Sequence, residues 1–278
     1  MKAVKIEGLS FSYSAREQES PPALEGINLE IEKGKKVVFL GANGSGKTTL
    51  FYHLNGLHLP QRGRVEIFGT PVEKRTRREI RKKAGMVFEN PDNQLISTTV
   101  YDEIAFGLRN YRWGEEQIAP KVFHILSKIR AEGLQEASPY QLSWGQKKRI
   151  AIAAVLAMEP EMLVLDEPFS GLDPQVSREV RFLLDQLNSE GKTVLAAAHD
   201  VDLAYAWADE VVLLSEGRIL KQGSPEVLEC EEEMIAASLQ VPLLAEAFKT
   251  SPYSPRTPDR AREVIEDLLS PRDTLTRG

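Results

Sequence analysis

Four short segments of this sequence join an apolar run to polar groups that can act on phosphate. The first is GANGSGKT, residues 41–48, which satisfies the spacing G-x-x-x-x-G-K-[ST] and follows the apolar run VVFLG. Glycines in such a loop let consecutive backbone N–H groups turn inward around phosphate oxygens, while Lys47 reaches the terminal phosphates and Thr48 offers a hydroxyl to Mg²⁺. The segment predicts a nucleoside triphosphate site. Its phosphate-binding positions are Gly41, Ala42, Asn43, Gly44, Ser45, Gly46, Lys47, Thr48 and Thr49.

Three further apolar runs end in an acidic residue or a histidine. GMVF leads into Glu89, MLVL leads into Asp166 and Glu167, and TVLAAA leads into His199. Because phosphoryl transfer depends chiefly on positioning and electrostatics, an acid beside the phosphates can hold Mg²⁺ or act on the attacking water. We assign the first role to Asp166 and the second to Glu167.

Composition limits the classes of protein to which the chain can belong. Its 278 residues are 42% hydrophobic, enough for one large core with an inserted subdomain. The net charge of −6 argues against a protein that binds nucleic acid along its length. Cys230 is the only cysteine, so neither a disulfide framework nor a cysteine-rich metal site is expected. The N-terminal residues lack the apolar core of a signal peptide, and no apolar stretch approaches the roughly 18 residues of a membrane span.

The apolar runs predict an α/β core. Unbroken runs suit strands buried on both faces of a parallel sheet, which gathers functional groups at the carboxyl ends of its strands. Helical spacing of apolar residues over about 91–158 predicts an inserted helical subdomain, and period-two alternation in INLEI and RVEIFG predicts an antiparallel β layer. We expect a cassette over residues 1–223, a small C-terminal extension over 224–250, and a tail over 251–278 that is poorly ordered apart from one short helix.

A longer stretch, LSWGQKKRIAIAAVLAMEP at residues 142–160, resembles the signature motif of ATP-binding cassette (ABC) ATPases. SGLDP at residues 170–174 resembles the D-loop of that family. The resemblance implies a P-loop NTPase fold, ATP hydrolysis with Mg²⁺, and head-to-tail pairs in which each ATP lies between one subunit's P-loop and the other's signature motif. The catalytic residues that it implies are Lys47, Glu167 and the switch histidine His199. The further nucleotide contacts that it implies are Tyr13 on the adenine and, across the pair, Ser143, Gly145, Gln146 and Asp173.

Two positions depart from the family pattern. Trp144 stands where glycine is usual, so either its side chain points away from the nucleotide or pairing of the two subunits is slower or weaker. Glu89 replaces a glutamine whose side chain touches Mg²⁺ in this family. A carboxylate binds a hard cation more strongly than an amide oxygen, so we predict that Glu89 joins Thr48 and Asp166 as a metal ligand. The alternative is a solvated acid outside the metal shell.

The loop ENPDNQLISTTVYDEIAFGL narrows the resemblance to ATPases of energy-coupling factor (ECF) importers, which include cobalt and nickel uptake systems. In them Asp92, Asn93 and Gln94 would lie near the coupling helices of a transmembrane scaffold. Residues 224–248 resemble the extension that helps two of these ATPases pair. The implied protein is a peripheral ATPase on the cytoplasmic face of the membrane, working with a scaffold and a substrate-binding membrane protein to import transition-metal ions or vitamins. Both a homodimer and a heterodimer are open.

Other interpretations share the same cassette. One is an ABC importer served by a soluble binding protein, and the ECF-like loop disfavours it. Another is a soluble ABC ATPase of translation or DNA maintenance, which the single uninterrupted cassette and the negative net charge disfavour. The basic run KRTRREIRKK at residues 74–83 has three alternatives: contact with anionic lipid headgroups, contact with an acidic partner, or a solvated surface.

Overall fold

The computed structural model describes residues 1–14 and 21–269. Its central sheet has six strands in the order β10-β9-β3-β8-β7-β6. The strands are β3 (Lys36–Leu40), β6 (Ala84–Val87), β7 (Met162–Asp166), β8 (Thr193–Ala197), β9 (Glu210–Ser215) and β10 (Arg218–Gly223). All neighbouring strands are parallel except β9 and β10. Every residue of β6, β7 and β8 is buried, which is why these strands read as unbroken apolar runs. The predicted parallel core is confirmed.

A second, antiparallel sheet covers one face of this core. Its order is β2-β1-β4-β5, formed by β1 (Lys2–Phe11), β2 (Leu24–Glu32), β4 (Arg62–Ile67) and β5 (Thr70–Pro71). Buried and exposed residues alternate from Ile27 to Ile31, as expected for a sheet with one face in water. Val37 and Phe39 pack into the apolar cluster beneath this sheet, while Val38 and Leu40 belong to the cluster on the opposite side. The central sheet therefore lies between two layers.

Helices cover the other regions of the core. In chain order they are α1 (Lys47–Leu54), α2 (Arg77–Lys83), α3 (Val100–Asn110), α4 (Glu115–Lys128), α5 (Trp144–Leu156), α6 (Pro174–Ser189) and α7 (Val201–Trp207). Three of them, α3 to α5, lie between β6 and β7, where the spacing predicts an inserted helical subdomain. Each of α3 and α4 buries one apolar face, anchored by Ile104 and Val122. None of the helices in the described part of the chain has the length and apolarity needed to cross a membrane.

The C-terminal region continues past β10 as three short helices, α8 (Glu231–Ala236), α9 (Leu243–Ala247) and α10 (Pro258–Leu269). The short helix expected in the tail is present as α10, and residues 251–257 before it are attached to the core, unlike a poorly ordered segment. Arg256 donates two hydrogen bonds to backbone carbonyls of the cassette, and Ala261 and Val264 are buried. These contacts compensate for the polar composition of the segment. Residues 270–278 lie outside the described part of the chain.

Candidate active site

The carboxyl ends of β3, β7 and β8 open into one cavity of about 750 Å³. The cavity brings together most of the residues singled out in the sequence: Tyr13, Gly41, Ala42, Asn43, Gly44, Ser45, Gly46, Lys47, Thr48, Thr49, Glu89, Asp166, Glu167 and His199. Four predicted nucleotide contacts lie outside it, namely Ser143, Gly145, Gln146 and Asp173. Three lining residues were not anticipated, namely Ala23, Ser238 and Leu239.

The loop between β3 and α1 forms the floor of this cavity. Gly46 has a φ of 106°, and a Cβ there would lie 2.9 Å from the carbonyl oxygen of Ala23, so the tight turn needs glycine. Lys47 is only 8% exposed and its ammonium group donates to the carbonyl of Gly41 at 2.7 Å. Burial lowers the pKa of Lys47, and the nearby carboxylates, Glu167 foremost, oppose that shift. The loop thus presents a lysine and the N-terminal amides of a helix to an anion.

Two oxygen ligands suited to Mg²⁺ meet beside the loop. The hydroxyl of Thr48 donates to Oδ2 of Asp166 at 2.7 Å. Burial raises the pKa of Asp166, while the hydrogen bond from Thr48 opposes that shift. No group of three or more His, Cys, Asp or Glu side chains is arranged to hold a metal ion among residues 1–14 and 21–269. Thr48 and Asp166 fit Mg²⁺ because this ion takes few protein ligands and keeps waters and phosphate oxygens for the rest.

Glu167 and His199 lie together in the wall of the cavity. Nδ1 of His199 lies 3.0 Å from Oε2 of Glu167. Glu167 has a φ of 47°, a left-handed conformation that is unusual for a residue with a side chain, and its N–H donates to the carbonyl of Ala197 at 3.2 Å. Burial raises the pKa of Glu167, and the hydrogen bond with His199 opposes this shift. A carboxylate held this way can accept a proton from water that approaches a phosphate.

The loop after β6 is held by α5, a contact that no motif in the sequence predicts. Lys148 is fully buried in α5, and its ammonium group donates to the carbonyl of Glu89 at 2.6 Å. Burial lowers the pKa of Lys148 to about 8, while the charge of Glu89 opposes that shift. The side chain of Gln94 accepts from the N–H of Phe88 and donates to the carbonyl of Ala151. Lys148 stands between Lys147 and Arg149 in the polar first half of α5, so no local pattern in the sequence marks it as buried.

The signature segment forms a separate group of contacts. Ser143 and Gln146 make a reciprocal capping box at the start of α5, in which each side chain bonds to the other residue's backbone N–H. Asp173 caps α6 by accepting from the N–H groups of Gln175 and Val176. These residues do not line the cavity of their own chain, which is the arrangement expected for residues that serve a second subunit's nucleotide.

Trp144 lies against the D-loop. Its indole N–H donates to the carbonyl of Ser170 at 3.3 Å, and Gly171 packs directly against the ring. A Cβ on Gly171 would lie 2.9 Å from the indole nitrogen. The bulky residue in the signature motif therefore joins that motif to the D-loop. Both alternatives for Trp144, a side chain that points away from the nucleotide and weaker pairing, stay predictions.

Tyr13 lines the cavity beside Thr49. Its ring packs edge-on against Phe11 and His58, and its hydroxyl is 3.2 Å from Oγ1 of Thr49. The residue is 63% exposed, which leaves a face of the ring available for a flat base. Stacking of Tyr13 on adenine stays a prediction.

Comparisons with known proteins agree with this geometry. A family model described as ABC transporter matches residues 24–170. The energy-coupling factor transporter ATP-binding protein EcfA of Carboxydothermus hydrogenoformans is 44% identical over 247 residues, which are 89% of this chain and 90% of the relative. The protein of the same description from Methanocaldococcus jannaschii is 42% identical over 248 residues, which are 88% of each chain.

Solved structures lead to the same family. CbiO1 from Clostridium perfringens, part of the ABC transporter complex CbiONQ, matches with a TM-score of 0.74 and 35% identity over 95% of this chain and 99% of that chain. The ATP-binding cassette MJ0796, solved as a dimer in a post-hydrolysis state with ADP and Pi, matches with a TM-score of 0.73 and 28% identity over 80% of this chain and 98% of that chain. The chain belongs to the ABC transporter family, in the group of energy-coupling factor transporter ATP-binding proteins. The family prediction made from the signature segment is confirmed.

The packing of Trp144 on Gly171 can be tested by a mutant cycle. Gly171→Ala should lower the free energy of unfolding because the residue has a φ of 71° and its Cβ would meet the indole ring. In a Trp144→Gly background only the backbone strain remains, so the cost of Gly171→Ala should be smaller by at least about 0.5 kcal/mol in urea denaturation. Gly191→Ala is the control, because Gly191 has a φ of 90° with open space around it. Equal costs of Gly171→Ala in both backgrounds would contradict the contact.

Proposed function

We propose that this chain hydrolyses ATP with Mg²⁺ and that this hydrolysis drives an ECF-type importer of transition-metal ions or vitamins. The observation that carries the proposal is the contact between Glu167 and His199 at the edge of the P-loop cavity. Membership of the ABC transporter family supports ATP binding, and the relatives named energy-coupling factor proteins support the class of importer. The transported molecule would meet only the membrane subunits, so the two substrate classes are alternatives within one proposal.

Each side chain of the cavity has a distinct task in this reaction. Lys47 and the P-loop amides bind the phosphates. Glu167 orients the attacking water or accepts its proton, and His199 steadies the γ-phosphate while its hydrogen bond favours the ionised form of Glu167. Mg²⁺ would neutralise charge that develops on the phosphate oxygens. Its proposed protein ligands are Thr48, Asp166 and Glu89.

Two ATPase subunits would form the working unit. The capping box fixes the start of α5, whose N-terminal dipole would then face the γ-phosphate bound to the partner subunit. The residues that would act across the pair are Ser143, Gly145, Gln146 and Asp173. Residues 224–250 would add a second contact between the subunits. The partner is a second copy of this chain or a related ATPase, and the dimeric cassette at 28% identity supports pairing of this kind.

A groove between α2, α3 and α5 is the proposed docking site for the membrane scaffold. This second cavity measures about 770 Å³. Ile96 and Phe106 line it and are 61% and 47% exposed. Its rim is basic, with Lys74, Arg75, Arg77, Arg78 and Arg81. We assign the groove to a short amphipathic helix of the scaffold that carries apolar residues and carboxylates, because apolar burial and charge complementarity would act together. Such docking would hold the chain on the cytoplasmic face of the membrane.

Glu167→Gln tests the hydrolytic role. The substitution removes the proton acceptor and keeps the shape, so kcat should fall at least about 100-fold while the affinity for ATP changes by less than about threefold. Phosphate release and nucleotide binding measure the two quantities, and phosphate release by the wild type should require Mg²⁺. Glu161→Gln, which removes only an exposed ion pair with Lys33, is the control. A variant that keeps more than a tenth of the wild-type rate would overturn the role of Glu167.

Glu89→Gln tests the proposed metal ligand. An amide oxygen binds Mg²⁺ more weakly than a carboxylate, so the Mg²⁺ concentration for half-maximal hydrolysis should rise roughly threefold or more. The matched control is Asp92→Asn in the same loop, because Asp92 pairs with Lys147 and lies outside the cavity. An unchanged Mg²⁺ midpoint in Glu89→Gln would mean that Glu89 is a solvated acid outside the metal shell.

The groove is tested by recovery of membrane partners. Tagged wild-type protein, purified from its native membranes in mild detergent, should carry a polytopic scaffold and a small substrate-binding membrane protein, identified by mass spectrometry. Phe106→Glu should lower their recovery at least about fivefold. The new carboxylate would repel the carboxylates of the docked helix and could not pack against its apolar residues. Phe123→Glu is the control, since Phe123 is 54% exposed on α4 outside the groove. Recovery of soluble proteins alone with an active wild type would contradict the transport role.

A further inference from the structure

The switch histidine depends on a very short helix for its position. His199 immediately precedes Asp200, whose side chain caps α7 by accepting from the N–H of Leu203 at 2.9 Å. With seven residues, α7 is too short to be stable by itself. Its position must therefore come from tertiary contacts, and any movement of α7 is transmitted directly to His199.

The C-terminal extension supplies contacts along the whole of α7. At the first turn, the N–H of Leu243 donates to Oδ1 of Asp202 at 2.7 Å. In the middle, the hydroxyl of Tyr205 donates to Oε1 of Glu229 at 2.7 Å, and Tyr205 is buried. The two contacts come from different parts of the extension, so they fix the rotation of α7 as well as its distance from the core.

Arg256 holds the other end of α7. Its Nε donates to the carbonyl of Tyr205 at 2.6 Å and its Nη2 donates to the carbonyl of Ala208 at 2.7 Å. The last carbonyls of a helix have no partners within the helix, and a cation there also interacts favourably with the helix dipole. The guanidinium group lies 5.8 Å from the centre of the Tyr205 ring and 3.8 Å from Oε1 of Glu226. This is a cap supplied from about fifty residues further along the chain.

The same extension reaches the nucleotide cavity itself. Ser238 and Leu239 line the cavity together with the P-loop and His199. Ser238 has a φ of 56°, and the N–H of Leu239 donates to the carbonyl of Met234 at 2.8 Å, so a tight turn directs the chain to this wall. The extension therefore contacts both the helix that follows His199 and the cavity into which His199 projects.

We propose that the C-terminal extension and the segment that follows it, together residues 224–269, form a positioning element for His199 of their own chain, with Arg256 as the principal positioning residue. This role is separate from pairing of two ATPases, and it rests on the proposed hydrolysis of ATP. A shift of the extension changes the geometry of the Glu167–His199 pair, so the extension couples events at the surface of the cassette to the rate of hydrolysis.

The first test separates turnover from binding. Arg256→Ala should lower kcat roughly threefold to tenfold and change the KM for ATP by less than about twofold, because small displacements of catalytic groups affect the transition state most. Arg256→Lys should recover part of the loss, since it restores a cation at the helix end. Arg260→Ala is the control, because Arg260 forms an ion pair with Glu263 within exposed parts of α10. A kcat of folded Arg256→Ala equal to that of the wild type would overturn the proposal.

The second test asks whether Arg256 acts through His199. In a His199→Ala background, Arg256→Ala should cause no further loss of kcat, because the group that it positions is absent. Val264→Ala is the control for general loosening of this segment, since Val264 is buried in α10, the helix that follows Arg256. A further loss in the His199→Ala background equal to the loss in the wild type would show a merely structural role and overturn the proposal.

A third measurement does not depend on hydrolysis. Hydrogen exchange of the backbone amides in residues 199–207 should be at least about tenfold faster in Arg256→Ala than in Arg260→Ala. If Arg256→Ala does not fold, Asp202→Ala tests the other end of α7 with the same readouts. Unchanged exchange would overturn the proposal, whereas absent hydrolysis in the wild type would count against the proposed function alone.

Discussion

Parallel pairing of β3, β7 and β8 is the constraint on which the site depends. Ala197 lies opposite Phe39 on one side and opposite Asp166 on the other. The P-loop, the acidic pair and the switch histidine follow these three strands, so the register alone sets them at one edge of the sheet. The strands are buried on both faces, and their polar groups can reach water only where the strands end. Folding of the buried core therefore also brings the residues of the site together.

Charges of opposite sign limit the pKa shifts that burial causes in the side chains of the site. Desolvation raises the pKa values of Asp166 and Glu167 and lowers those of Lys47 and Lys148. Each shift is opposed by the groups of opposite sign nearby. Lys148 has an additional task, because its bond to the carbonyl of Glu89 ties the loop after β6 to α5. The helix that carries the signature motif is thus mechanically and electrostatically connected to the chain's own nucleotide cavity.

The groove and the C-terminal extension each connect the nucleotide cavity to a different part of the surface. The loop after β6 lies between the cavity and the groove lined by Phe106 and Ile96, so a helix docked there would act on Glu89. The extension acts on His199 through α7. Both routes end at side chains that line the P-loop cavity, and each passes through a short segment held by a buried or capping cation, Lys148 or Arg256. An ATPase whose hydrolysis drives an importer needs connections of this kind between its nucleotide cavity and its surface.

The sequence by itself determined the parallel core, the antiparallel layer, the inserted helices and the residues of the P-loop cavity, because hydrophobic period and short motifs are local properties of the chain. Tertiary structure decided the contacts between distant segments. Trp144 on Gly171 and Arg256 at the end of α7 join positions whose neighbours in the chain give no sign of the pairing. The attachment of residues 251–257 to the core, ahead of the short helix that the sequence predicts, belongs to this second group. Their composition is polar, and they are held only because a folded helix end and a buried surface offer them partners.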